Sequence, residues 1–111
     1  IMAVYANLIV DQGSDFSSTI FVTDNVGDIL DLTNYTSSAQ IRKSHSSSTA
    51  VDFITSILNP TDGQVQIKLT NDQSLAMKAG RYVYDVEIVS DIGVVTRVVE
   101  GQLEVTPTVT R

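Results

Sequence analysis

The run Ala79-Gly80-Arg81-Tyr82-Val83-Tyr84-Asp85-Val86-Glu87-Ile88-Val89 constrains this chain more than any other stretch. Tyr82, Tyr84, Val86 and Ile88 fall on one face of an extended strand, and Arg81, Asp85 and Glu87 fall on the other. A period of two built from β-branched and aromatic residues is the pattern of a half-buried β-strand. The run therefore predicts the central strand of a two-sheet sandwich.

The rest of the chain supplies partners for it. Val4 to Val10 reads as a first strand, apolar except for Asn7, closed by Asp11-Gln12-Gly13-Ser14-Asp15. Phe16 to Thr23 follows, with Phe16, Ile20 and Val22 on one face, Ser17, Thr19 and Thr23 on the other, and Phe21 breaking the alternation. Asn25-Val26-Gly27-Asp28 is a turn signal. Ile29 to Thr33 comes next, and Asn34-Tyr35-Thr36 predicts a corner between sheets.

Ser37 to Lys43 predicts a strand with Ala39 and Ile41 inward, and Val51 to Leu58 one or two short strands around Phe53 and Ile57. Asn59-Pro60-Thr61-Asp62-Gly63 is a reverse turn, since proline presets φ and Asp-Gly favours the left-handed position. Val65, Ile67 and Leu69 alternate cleanly as buried residues of the next strand. Thr70 to Lys78 predicts one helical turn, capped by Thr70 or Asn71, with Leu75, Ala76 and Met77 covering one end of the core. After the central run, Ser90-Asp91-Ile92-Gly93 predicts a hairpin into a last strand, Val94 to Val105. Val95, Val99, Leu103 and Val105 are expected inward there, with a bulge or bend at Gly101. Short strands with turn signals about every ten residues indicate an all-β, antiparallel sandwich of about seven strands. The 111 residues make a single domain, 1-111, with no internal repeat.

Composition excludes several function classes. A net charge of −6 and only 7 Lys and Arg, scattered singly, oppose binding to nucleic acid. No apolar run approaches the ~20 residues that span a bilayer, so no membrane partner is expected. There is no cysteine, which rules out disulfides and thiolate metal sites. Ile1-Met2-Ala3-Val4-Tyr5 lacks the basic start and apolar core of a secretory signal. Met2 is expected to be the biological start and Ile1 a remnant.

No grouping of residues predicts catalysis, and no cofactor or metal is expected. His45 is the sole histidine and sits in the polar loop Ser44-His45-Ser46-Ser47-Ser48-Thr49, where nothing would orient it as a base. Asp11, Asp15, Asp24, Asp28 and Asp31 are dense in the first third, but they divide between separate turns and lack the alternate spacing of a calcium loop. Roles in turns and caps account for them. Paired carboxylates of a glycoside hydrolase usually come with aromatic sugar platforms, and the chain has no Trp. Val83, Val89 and Val98 fall on the outward phase of the last two strands and form a candidate interface.

The run Ala79-Gly80-Arg81-Tyr82-Val83-Tyr84 resembles the immunoglobulin-type strand that carries a tyrosine corner. There the first tyrosine hydroxyl, here Tyr82, bonds back to the backbone, and Tyr84 stands where antibody domains place a disulfide cysteine. A wider resemblance rests on Gln12-Gly13-Ser14-Asp15-Phe16, Gly27-Asp28-Ile29-Leu30-Asp31-Leu32-Thr33-Asn34-Tyr35, Ala39-Gln40-Ile41-Arg42-Lys43, Gly80 to Glu87 and Val95 to Val105. Their order resembles the N-terminal immunoglobulin-like domain of phage baseplate upper proteins and the small structural proteins of marine tailed phages. The resemblance implies a non-enzymatic structural module of a virion tail, baseplate or neck. It implies docking to other virion proteins, a homo-oligomer within the assembly, and assembly in a bacterial host cytoplasm. The baseplate proteins continue into a linker and a receptor-binding platform, whereas this sequence ends at Arg111. The alternative expectation is a carbohydrate- or host-surface-binding sandwich. A hydrolase is the third class considered.

Overall fold

A computed structural model describes residues 3–24 and 26–110. Ile1, Met2, Arg111 and the Asn25 position of the second turn lie outside the described residues. The strands are β1 (Val4–Tyr5), β2 (Leu8–Asp11), β3 (Phe16–Phe21), β4 (Thr36–Arg42), β5 (Val51–Asp52), β6 (Ile54–Asn59), β7 (Gln64–Leu69), β8 (Gly80–Val89) and β9 (Val95–Thr106). One sheet has the order β1-β9-β8-β4-β5, with β2 also on β9, and the other has the order β3-β7-β6. The two sheets close on one apolar core as an immunoglobulin-like sandwich. Counting the interrupted pairs β1/β2 and β5/β6 as single strands gives the expected seven.

The central run is β8. It lies between β9 and β4, both antiparallel to it. Tyr84, Val86 and Ile88 are buried, while Arg81 is exposed and Asp85 and Glu87 are partly so. The alternation of the sequence is thus the alternation of the fold. Across the core, β7 contributes Val65, Ile67 and Leu69, all buried as their spacing predicts. Phe53 sits where the chain leaves β5 in one sheet for β6 in the other. Its ring centroid is 6.2 Å from those of both Phe16 and Tyr84, so aromatic packing joins the layers there.

The connections follow their local chemistry. Pro60–Asp62 is a single 3-10 turn ended by Gly63 at φ 65°. A β-carbon on Gly63 would lie 2.7 Å from the Val22 carbonyl oxygen and 2.8 Å from that of Leu30. Asn34 takes the left-handed conformation at the corner before β4. The helix α1 (Asn71–Ala76) starts at Thr70, whose hydroxyl accepts from Gln73 N while the Gln73 side chain accepts from Thr70 N. This reciprocal capping box satisfies two otherwise orphaned donors of a helix too short to stand alone. Met77 is buried beneath it, whereas Leu75 and Ala76 are exposed and do not cover the core as expected.

Other expectations are corrected or refined. The sheet is not wholly antiparallel, because the N-terminal strand joins β9 and runs parallel to it. Phe21 is the apolar residue on the outward, otherwise polar phase of β3, the break in alternation that the sequence shows, and it is exposed. Gly101 is not the bulge. The register slips between Val86↔Val99 and Glu87↔Arg97, which puts the extra residue at Val98. That slip shifts the phase of β9, so Val98 and Val99 are both buried while Val95 is 57% exposed. Val95 is therefore not inward, and Val98 turns to the core instead of to the outward face of the sheet.

Tyr82 makes the tyrosine corner. Its hydroxyl donates to the Lys78 carbonyl at 2.7 Å, tying the α1–β8 connection to the start of β8. Lys43 Nζ lies 4.7 Å from the centre of the Tyr82 ring and donates to Arg81 O at 2.9 Å. Tyr82→Phe keeps the ring and removes the corner bond. It is expected to lower stability by about 1 kcal/mol in urea unfolding with an unchanged slope. Stability equal to that of the parent would show that the bond is replaced by water at no cost.

Candidate functional site

The sequence-predicted site residues do not converge. Among the described residues, no group of three or more His, Asp or Glu side chains is placed to hold a metal ion. The N-terminal carboxylates instead serve their own turns and neighbours. Asp24 accepts from the backbone of Val26 and Asp28, and Asp31 accepts from the backbone and hydroxyl of Thr33, which holds its carboxyl below the usual range. Asp15 accepts from Asn71 N and Nδ2 at the start of α1, and Asp11 accepts from the Thr106 hydroxyl.

The outward face of β4, β8 and β9 holds a shallow polar cleft. His45, Gln40, Arg42, Val83, Asp85, Glu87, Arg97 and Glu100 line it. Arg97 lies 3.3 Å from Asp85 and 3.4 Å from Glu100, and Arg42 donates to the Ser47 carbonyl and to Gln40 Oε1. Exposed pairs of this kind contribute about 0–1 kcal/mol each. The candidate interface of Val83, Val89 and Val98 is dispersed. Val83 lies among these charges, Val89 is half-buried opposite Val95 at the hairpin end, and Val98 points into the core.

A second concavity lies at the side of the sandwich, where the sheets part between β1/β2 and β3. It is a groove of about 310 Å³, lined by Val4, Ala6, Leu8, Ser18, Thr19, Ile20, Phe21, Val22, Thr23, Ile67, Tyr84, Val98 and Val99. Not one of these residues carries a formal charge at neutral pH. The rim is apolar and open: Val4 is 61% and Phe21 65% exposed. Large apolar side chains left at a concave surface mark a place for a partner more reliably than scattered exposed ones.

Local structure explains why the groove is there. The register of β1 and β2 on β9 is continuous, yet the chain leaves the ladder at Ala6 and Asn7. Ala6 lies over Gly101, with Ala6 N donating to Glu100 O at 2.9 Å, and the Asn7 side chain accepts from Gln102 N in place of the missing ladder bond. Tyr84, opposite Gly101 on β8, donates its hydroxyl to Ala6 O at 2.6 Å. The tyrosine thus fixes the wall of the groove as well as the core. The sequence reading missed this site. The signals available were Phe21 on an outward phase and a strand, Phe-Ser-Ser-Thr-Ile-Phe, without a charge.

Burial pushes the Tyr84 phenol up from 10.0 to about 12, with a smaller contribution from Tyr5. A phenol whose folded value lies above its unfolded one stabilises the fold fully below pH 10 and loses that contribution as the pH rises towards 12. Stability measured across that window is expected to fall, and less steeply in Tyr84→Phe than in the parent. Equal slopes in both proteins would mean that Tyr84 ionises freely in the folded state.

No family model matches the sequence, and no curated protein does. Among solved structures, an internalin-like protein of Listeria monocytogenes aligns over 94% of this chain and 28% of its own, at 16% identity and a TM-score of 0.48. A family 123 glycoside hydrolase from Clostridium perfringens aligns over 96% of this chain and 24% of its own, at 14% identity and a TM-score of 0.44. The chain therefore spans only about a quarter of each of these larger proteins.

Proposed function

We propose that this domain is a non-enzymatic structural module that docks to neighbouring proteins in a tailed-phage virion, in the tail, baseplate or neck. The observation that carries the docking part is the uncharged groove between β1/β2 and β3, with its exposed apolar rim. The virion setting rests on the resemblance of the sequence to phage structural proteins. A virion presents many copies of each component, so contacts of modest area suffice when they are repeated. The domain is proposed to act as a homo-oligomer within that assembly. Purified virions are expected to contain the protein at stoichiometric copy number by mass spectrometry, and its absence from them would overturn the virion setting.

The second reading is a carbohydrate- or host-surface-binding module, which the polar cleft favours with Gln40, Asp85, Glu87 and Glu100 on one face. Specific glycan binding that is lost in Arg42→Ala would support it over the first.

A further inference from the structure

Sheet edges expose unpaired N–H and C=O groups, and folded proteins guard them with short strands, charges, bulges or covering segments. Most edges of this sandwich are guarded. β1 and β5 are two residues long, and β5 carries Asp52. β2 ends in Asp11, and the chain is pulled off its ladder just before it at Ala6 and Asn7. β6 has a register irregularity between Ile57 and Asn59, and its Thr55 hydroxyl bonds across to Ser37 of β4.

β3 is different. It is six residues long and uncharged, it pairs in unbroken register with β7, and among the described residues no strand lies on its other side. Val22 N donates to Gly63 O on the β7 side, so strand alternation turns the N–H and C=O groups of Ser17, Thr19 and Phe21 to the open side. That open ladder runs along the lip of the apolar groove.

The geometry points to β3 as a strand-addition site, which takes an extended, uncharged segment of another protein whose alternate residues are apolar. The proposal rests on the docking reading above and specifies its partner. Two features select this occupant. The free backbone groups of β3 require a partner with a backbone ladder of its own, which a small apolar molecule lacks. The groove beside that ladder requires apolar side chains on one face of the incoming strand. A second copy offering its own β3 would not supply them, because its Phe16 and Ile20 already pack against its own core.

The test uses the intact chain and a synthetic peptide that alternates valine with threonine, with one lysine at each end for solubility. Adding the peptide is expected to slow amide exchange at Ser17, Thr19 and Phe21 by about tenfold or more, with no such change on β6. Thr19→Pro removes a donor on the open side only, where proline is tolerated in an edge strand. It is expected to keep its melting temperature and to weaken peptide binding about tenfold or more. Ser18→Leu leaves the ladder intact and fills part of the groove, and is expected to weaken binding as well.

Unchanged exchange at those three amides, or equal protection on β6, would overturn the proposal. Protection that appears without peptide and grows with protein concentration would also overturn it, in favour of a second copy. Binding of an apolar dye in the groove that the peptide fails to displace would overturn it in favour of a small ligand. Failure here leaves the presence of the protein in virions untouched, and its absence from virions leaves peptide binding untouched.

Discussion

Gly101→Ala is expected to destabilise the domain by about 3 kcal/mol or more, although the added group is one methyl. Gly101 is buried in the middle of β9, opposite Tyr84. A β-carbon there would lie 2.7 Å from the Ala6 carbonyl carbon and closer still to its oxygen. The obstacle is backbone, so no rotamer change relieves it. Overpacking of this kind costs about 1–3 kcal/mol, occasionally more. Displacing Ala6 also breaks the Tyr84 hydroxyl bond to Ala6 O and the Ala6 N bond to Glu100 O. Each such bond contributes about 0.5–1.5 kcal/mol. The melting temperature is expected to fall by more than about 10 °C. Amide exchange should accelerate first in β1 and β2, since that segment must lift away. A fall of under about 2 °C would show that Ala6 moves aside freely and that the glycine is not needed for the crossing.

Leu103→Ala is expected to cost a similar amount by a different route. Leu103 is fully buried and pairs with Tyr82 on β8 and Leu8 on β2, so it lies in the middle of three adjacent strands. Truncation leaves a cavity that two hydrogen-bonded neighbours hold open, and buried Leu→Ala changes cost about 2–5 kcal/mol. Its neighbour Glu104 is exposed, and Glu104→Ala should stay within about 0.5 kcal/mol of the parent. The contrast between adjacent residues, measured by urea unfolding, tests the inward phase of β9 beyond its bulge. Similar costs at the two positions would contradict that phase.

Some of this architecture was legible in the residues. The two faces of β8, the inward set of β7, the Pro60–Gly63 turn and the Thr70 cap all depend on interactions within a few positions along the chain. The corner bond of Tyr82 spans four residues, which made it readable too. The misreadings share another character. Carrying one alternation through the whole of β9 misplaces Val95 and Val98, because a single extra residue reverses that phase. Gly101 predicts a bulge or bend from sequence, although a lone glycine in a strand signals either a bulge or a close approach. Only the position of Ala6, 95 residues earlier in register terms, decides between them. Asp24 and Asp31 sit in turns with local partners, as their sequence context predicts, whereas Asp15 and Asp11 meet Asn71 and Thr106 far along the chain.

The candidate site was the least legible part. β3 looks like an ordinary amphipathic strand, and its openness belongs to the sheet rather than to the strand. The amino-acid order by itself set where chain segments extend, which side of most of them is apolar, and where they turn, because those properties arise from neighbouring residues. Which strand lies beside which, where β9 changes phase, and which edge stays unpaired came only from tertiary structure. Those outcomes depend on groups that meet across the fold, and no local pattern records them.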